Sequence, residues 1–485
     1  MSQNLSSKDF KLNVGSEIGT LRCLIIHSPD SGLGKVVPSK AQDWLFEDIV
    51  HLETIRKDEY DHYLKLLLYF LDPEKIKGKL NKIDTDASRD FYKPSKTQFH
   101  NSLKVVELQK LLSDILEDEN IKQKLVASVC AMESVTYHLQ NDLLTRSTTE
   151  LANIIISGSM NGGKMIFAPI PNLIFTRDVA IIINNFILLN KPAKKARSRE
   201  TLIARYIFFN HPIFAAYKNN ILEIPDSLPH FLRPGEENEQ HSTLEGGDVM
   251  VVAKNHVLIG FSERTSAAAI NETIKMLFDR DVVEKVTVVK IPHKRDFMHL
   301  DTVFTQVKRN MWVILKSIGM IDHRGDGNEP IDHITTKQPE DKTVVTQFIK
   351  GKISEPIKFD SVEQLLADIS ENDLKSTEKT EIIYSGNEEF PYDSREQWTD
   401  SCNLLSIKEG VVLGYDRNDH TINAFKKKGF MIIHVTDLLQ KFESGELNPD
   451  TLENTFITMP SAELSRARGG FHCMSMPVFR DDLVG

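Results

Sequence analysis

The sequence predicts an α/β protein built from a repeated ββαβ unit. Three features recurring in one order carry that expectation: two β-rich runs joined by a polar turn, a one-face helix after them, and a further β-rich run. The copy between Asp248 and Ile291 is the clearest. Val249 to Val252 and Val257 to Phe261 flank Lys254-Asn255 as a hairpin. Ser266 is placed to cap the helix that follows, Ile270, Ile274, Leu277 and Phe278 recur on one face of it, and Val286 to Ile291 reads as the closing strand.

The same order returns near the C-terminus, where Asn403 to Ile407 and Val411 to Tyr415 surround the turn Lys408-Glu409-Gly410, His420 to Lys428 is helical and Met431 to Val435 is a strand. A fainter copy pairs Val179 to Ile183 with Phe186 to Leu189 around Asn184-Asn185, ahead of a helix from near Ser198 with Leu202, Ile203, Tyr206 and Ile207 as apolar positions. Leu21 to His27 reads as the first strand of another copy. Residues from about 41 to 71 and from about 101 to 156 instead carry helical spacing, for example Val105, Leu108, Leu112 and Ile115, and are expected to form a helical insertion beside the α/β body. The charged, polar stretch from His323 to about Trp398 is expected as a surface insertion without catalytic importance.

Composition bounds the function. The chain has 485 residues, 40% of them hydrophobic, and 59 Lys and Arg against 69 Asp and Glu, a net charge of −10. That balance argues against general affinity for nucleic acid or anionic membrane and suits a small cationic substrate. The opening residues show neither the basic start nor the apolar stretch of a secretory signal, and no run reaches membrane-spanning length, so a cytoplasmic location is expected. Cys23, Cys130, Cys402 and Cys473 are too few and too scattered for a disulfide scaffold or a structural zinc site, and each is expected as a free thiol.

Polar residues that can carry chemistry sit where the units end and loops begin. Asp178 closes NLIFTRD, after an apolar run where a turn former is also common. Glu245-Gly246-Gly247-Asp248 places two carboxylates on a tight backbone, either a plain turn or a place where backbone meets ligand. His299 and Asp301 are one residue apart, so on an extended strand both point to one face. Glu245, His299, Asp301 and Cys473 include zinc-ligand types, but no His-x-His, Cys-x-x-Cys or HExxH pair anchors them, and no metal or other cofactor is expected. Cys473 follows Arg468-Gly469-Gly470, a tight loop beside positive charge that favours thiolate. A cysteine, a histidine and a surplus of carboxylates suit nucleophilic attack on a positively charged substrate.

In order and wording, NLIFTRD, LEGGDVMVV, GFSERTS, MHLDTVFTQV and RARGGFHCMSMP resemble the motifs of the arginine deiminases, with LRCLIIHSPDSG and WLFEDIVHLE extending the likeness toward the N-terminus. The resemblance implies a five-bladed α/β propeller of ββαβ modules, a pentein fold, as a single catalytic domain over residues 1–485 with a helical subdomain inserted at about 85–160. It implies that Cys473 is the nucleophile, His299 the proton donor and later the base for water, and Glu245 the partner that orients His299. Asp178 and Asp301 would hold the guanidinium nitrogens, with Asp248 beside them, and Asn172, Phe175, Arg197, Arg264 and Arg468 would surround the amino-acid end of L-arginine. No cofactor is implied. The same cysteine and histidine serve agmatine deiminases, dimethylarginine hydrolases and amidinotransferases, and a silent arginine sensor would keep the same scaffold, so these alternatives stay open at this point, as does assembly into a homo-oligomer. The chain departs from the family pattern at Ala467, at Phe471 and at Ser401-Cys402-Asn403, where a Gly-Asn-Asn sequence is usual.

Overall fold

In the computed structural model, the described residues run from 10 to 483 apart from 42, 47, 161–162, 226–241 and 320–342. Their strands form five sheets. Every sheet contains the same nucleus: an antiparallel pair, one member of which also pairs in parallel with a third strand. Only a crossover connection can supply a parallel neighbour, which is why a helix or other long connection precedes the third strand in sequence.

In the clearest copy, Val249–Ala253 and His256–Phe261 form the hairpin, Ala267–Asp279 the helix and Lys285–Lys290 the parallel strand. Ser266 caps that helix by accepting from Ala269 N–H. The copy built on Ala180–Ile183 and Phe186–Leu189 continues through the helix Ser198–Asn210 to a two-residue strand, Ile221–Leu222.

Four of the sequence expectations about the fold need correction. Near the C-terminus the parallel neighbour of Val411–Tyr415 is Thr455–Met459, and Met431–His434 lies outside it. Burial explains the choice: Thr455–Met459 is buried throughout, whereas Met431–His434 is exposed or half-buried. Leu21–Ile26 is the central strand of its sheet, flanked by Met476–Arg480 and Val105–Glu107. Val105 therefore belongs to a strand, because the β-branched pair Val105-Val106 registers beside Leu24 and Ile25 before the helix begins at Leu108. Finally, the stretch after His323 supplies the third strand of a fifth copy: Phe304–Lys308 and Met311–Ile314 make its hairpin, Val362–Asp368 is helical, and Glu381–Tyr384 lies parallel to Met311–Ile314.

The helices Leu108–Ile115, Glu119–Met132, Tyr137–Leu144 and Thr148–Ser157 pack on the sheets: Leu112, Leu125, Val129 and Ile155 share one hydrophobic cluster with Ile181, Leu188, Val251 and Ile259. Each such fully buried side chain contributes roughly 1.5–3 kcal/mol. Among the described residues no helix is long and apolar enough to cross a membrane.

Candidate active site

One short segment leads into one strand of each antiparallel pair, and the five segments meet. Thr176–Asp178 precedes Ala180–Ile183, Gly246–Asp248 precedes Val249–Ala253, Leu300–Thr302 precedes Phe304–Lys308, residues 400–403 precede Leu405–Lys408, and residues 468–473 precede Met476–Arg480. Asp178, Glu245, His299, Thr302, Asp400, Arg468 and Cys473 line one cavity with Arg197 and Arg264. These segments are single 3₁₀ turns or irregular loops, so Asp178 does not follow a strand and His299 and Asp301 do not share one. A tight turn turns its side chains in different directions, and the two residues find different partners.

Cys473 is 8% exposed and is gripped by Asn403, whose Nδ2 donates to Sγ at 3.2 Å while its Oδ1 accepts from Cys473 N–H at 3.0 Å. Asp301 Oδ2 stands 3.4 Å from the sulfur. Burial pushes the thiol pKa well above its ordinary value, and the negative charges of Asp301, Asp178 and Asp400 push it further than the Asn403 amide can offset. The expectation that the Arg468 loop favours thiolate is overturned, because Arg468 turns onto the Trp398 ring, with its guanidinium carbon 3.4 Å from the ring centre. The glycines act instead through close approach: a Cβ on Gly470 would meet the Asn403 carbonyl oxygen at 2.5 Å.

His299 faces Glu245, with Nε2 2.8 Å from Oε2. Burial alone would discharge the imidazole, but the charge of Asp178, the hydrogen bond to Glu245 and the charges of Asp248 and Glu245 outweigh it and raise the pKa to about 10. His299 is therefore an imidazolium near neutral pH, and Glu245 is held well below the usual carboxylate range. Gly247 makes room for the ring, since a Cβ there would lie 2.5 Å from His299 Nδ1.

Arg197 lines the cavity among carboxylates. Its Nη1 is 2.6 Å from Asp178 Oδ2 and 3.6 Å from Glu245 Oε2, and Nη2 is 2.8 Å from Glu200 Oε2. Three buried carboxylates converge there, and a buried charge needs an opposite one at hand. Asp178, Glu245 and His299 also offer donor atoms within 4.8 Å of one another, a set able to hold a metal ion. In this arrangement the Arg197 guanidinium supplies positive charge between two of them.

Asn172 and Phe175 line the cavity as well. Asn172 Nδ2 donates to the Trp44 carbonyl oxygen at 2.9 Å, fixing the strained residue Leu45 (φ 58°) against the cavity. Arg264 is loosely held, 3.9 Å from Glu245 and from Glu263, and its Nε finds no hydrogen-bond partner among the described residues. Asp248 is the residue that the structure removes from the expected substrate contacts. It does not line the cavity, and it accepts from Ser262 Oγ at 2.6 Å, Thr265 Oγ1 at 2.7 Å and Leu300 N–H at 2.9 Å, bracing the His299 turn against the Glu245 turn. Burial lifts its carboxyl to about 6 despite those bonds.

The family model described as arginine deiminase matches residues 42–480. The chain belongs to the arginine deiminase family. Arginine deiminases from Treponema denticola and Borreliella afzelii are 28% and 29% identical to it over 480 and 478 residues, covering 97% of this chain and 99% and 98% of theirs. The arginine deiminase of Staphylococcus aureus is 28% identical over 505 residues, covering 98% of this chain and all of that one (100%).

In this arginine deiminase family member the sequence departures fall into separate places. Phe471 is buried and packs on Tyr63 and Tyr415, with ring centres 5.0 Å away in both cases, so its bulk faces the core. Ala467 lines the cavity. Asn403, the part of Ser401-Cys402-Asn403 that keeps the usual amide, is the residue that holds Cys473. Sequence reasoning missed Asp400, whose Oδ2 accepts from Gly469 N–H at 3.0 Å and whose carboxyl is pushed up to about 7 by burial, Arg468 offsetting part of the rise. It also missed His472, set between Asp301 Oδ2 at 2.8 Å and Glu17 Oε2 at 3.1 Å. Neither residue sits in a spacing pattern. Glu17 lies 455 residues from His472, a pairing that no local signal carries.

Proposed function

We propose that the protein is an arginine deiminase that hydrolyses free L-arginine to L-citrulline and ammonia through a covalent thiouronium on Cys473. The single observation that supports this most strongly is the placement of the Cys473 thiol in one cavity with the Glu245–His299 pair and Asp178, with Asp301 directly behind the sulfur. The five sheets, each led into by one site segment, suit a five-bladed propeller around that cavity.

The chemistry follows from the charges. A guanidinium is a poor electrophile because its charge is delocalised, and carboxylates that fix its plane hold the central carbon for attack without solvent reorganisation. Its positive charge offsets the carboxylates that hold the thiol protonated, so binding of substrate assists thiolate formation. Asp178 takes the substrate cation in place of the Arg197 guanidinium. The thiolate adds to the guanidinium carbon, and the imidazolium of His299 gives its proton to the departing nitrogen, which leaves as ammonia. The neutral His299 then takes a proton from water, the resulting hydroxide adds to the thiouronium carbon, and the C–S bond breaks to return the thiolate, the hydroxyl proton passing to solvent as citrulline is released.

The test is citrulline and ammonia formation from free L-arginine by purified, chelator-treated protein and by Cys473→Ala. Turnover by the first and none by the second is the expected result. Carbamoylputrescine from agmatine, a methylated amine from dimethylarginine, or transfer to an added amine would redirect the assignment to another guanidine-modifying activity, and activity lost on chelation and restored by zinc would replace the metal-free mechanism.

A further inference from the structure

The Arg468 guanidinium lies flat over the indole of Trp398, its central carbon 3.4 Å from the ring centroid. A guanidinium stacked face-on keeps all its N–H donors in its own plane, directed sideways from the stack. One of them, Nη1, is buried and has no hydrogen-bond partner among the described residues. Arg468 also lines the cavity. An aromatic face attracts a cation without using any of its donors, which leaves a charged donor held in position for an oxyanion.

The support beneath Trp398 is rigid. Trp398 ends the helix Tyr392–Trp398. The preceding residue, Gln397, donates through Nε2 to the carbonyl oxygens of Asp296 at 2.8 Å and Thr302 at 3.3 Å, the second of which belongs to a cavity residue. Glu396 accepts from His420 N–H at 2.7 Å and Thr421 N–H at 2.8 Å. The backbone at Arg468 is constrained too, in the left-handed region at φ 59°, with Gly469 N–H tied to Asp400. Trp398 itself is 42% exposed, so its indole forms the outer side of the stack.

We propose that Trp398 is a specificity-determining residue that positions Arg468 to receive the α-carboxylate of the substrate. This inference rests on the reading of the protein as an arginine deiminase. It turns the end of the segment that sequence alone assigns to a surface insertion into part of the selection of free arginine over decarboxylated guanidines. Trp398 acts through Arg468 and touches no reacting atom.

The experiment compares Trp398→Leu and Trp398→Phe with the unmutated protein. Loss of the aromatic face is expected to raise KM for L-arginine about three- to thirtyfold, the range that a cation–π contact supports, with kcat changed by less than about twofold. The Ki of agmatine as a competitive inhibitor stays the same, because agmatine offers Arg468 no carboxylate. Trp398→Phe restores most of the loss. An unchanged KM in Trp398→Leu would overturn the proposal. So would a parallel rise in KM and in agmatine Ki, which marks general damage to the cavity, or a Phe variant as impaired as the Leu variant. Calorimetric binding of L-arginine to Cys473→Ala, with and without Trp398→Leu, reads the same affinity change without turnover. If the unmutated protein makes no citrulline, the deiminase reading fails, and this binding arm still decides the role of Trp398.

Discussion

Asn403 brackets Cys473 with both ends of one amide, donating to the sulfur at 3.2 Å and accepting from the cysteine's own N–H at 3.0 Å. The same amide thus favours the thiolate and fixes the backbone that carries it. Asn403→Asp keeps the acceptor, removes the donor and adds a negative charge. It is expected to lower kcat by about 10²- to 10³-fold, the scale of losing one preorganised donor. The pH dependence of Cys473 alkylation by iodoacetamide moves upward in the same variant. Near-normal turnover in Asn403→Asp would show that the amide is scaffolding only.

The His299–Glu245 pair makes stability depend on pH in a defined direction. The folded-state pKa of His299 is raised from an ordinary 6.5 to about 10, so its stabilising contribution is complete below 6.5 and is lost as pH rises toward 10. The stability difference between the unmutated protein and His299→Asn, measured by urea unfolding, is expected to be largest near pH 6 and to shrink steadily up to pH 10. A difference that grows with pH would contradict the charged imidazole.

Asp400 has the same sign over a lower pH window. Its carboxyl is raised from 3.8 to about 7 by burial, so the fold favours the neutral acid and loses stability as pH rises through about 7. Asp400→Asn keeps an acceptor for Gly469 N–H without the charge. Its Tm should exceed that of the unmutated protein more at pH 8 than at pH 5, and Cys473 should alkylate at lower pH, because one of the charges that raises the thiol is gone. Equal Tm differences at the two pH values would place the penalty elsewhere.

Arg197 pairs with Asp178 and Glu200 and stands 3.6 Å from Glu245. Arg197→Leu leaves buried carboxylates unpaired and is expected to cost about 3–5 kcal/mol in unfolding free energy as well as activity. Arg197→Lys recovers part of the stability. A loss of activity at unchanged stability would show that the three carboxylates find other partners.

We propose that Arg264, which is held only loosely by its neighbours, shares with Arg468 the recognition of the substrate carboxylate. The kcat/KM for L-arginine is expected to exceed that for agmatine by at least about 10³-fold, as when a buried polar site loses the group it was built to bind. Arg264→Leu narrows the gap by damaging arginine turnover. Equal use of both substrates by the unmutated protein would show that no carboxylate clamp operates.

What the sequence determined by itself is what short-range periodicity and wording encode. Alternating and one-face apolar spacing marked the hairpin Val249–Ala253 with His256–Phe261, the Ser266 cap and the helix after it, since each depends on residues a few positions apart. The edges of those units pointed to Asp178, Glu245, His299 and Cys473, which line one cavity, because loops entering a repeated strand bear site residues in each copy. Pairings between distant segments were decided only by the tertiary structure. Leu21–Ile26 became a central strand because Met476–Arg480 reaches it from the far end of the chain, and Thr455–Met459 displaced Met431–His434 because the inner position rewards burial. Asp248 became a brace, Arg197 the partner of three carboxylates, and Trp398 the platform of Arg468. Direction, burial and charge balance at a side chain depend on neighbours that sequence spacing does not specify, and only packing brings those neighbours within reach.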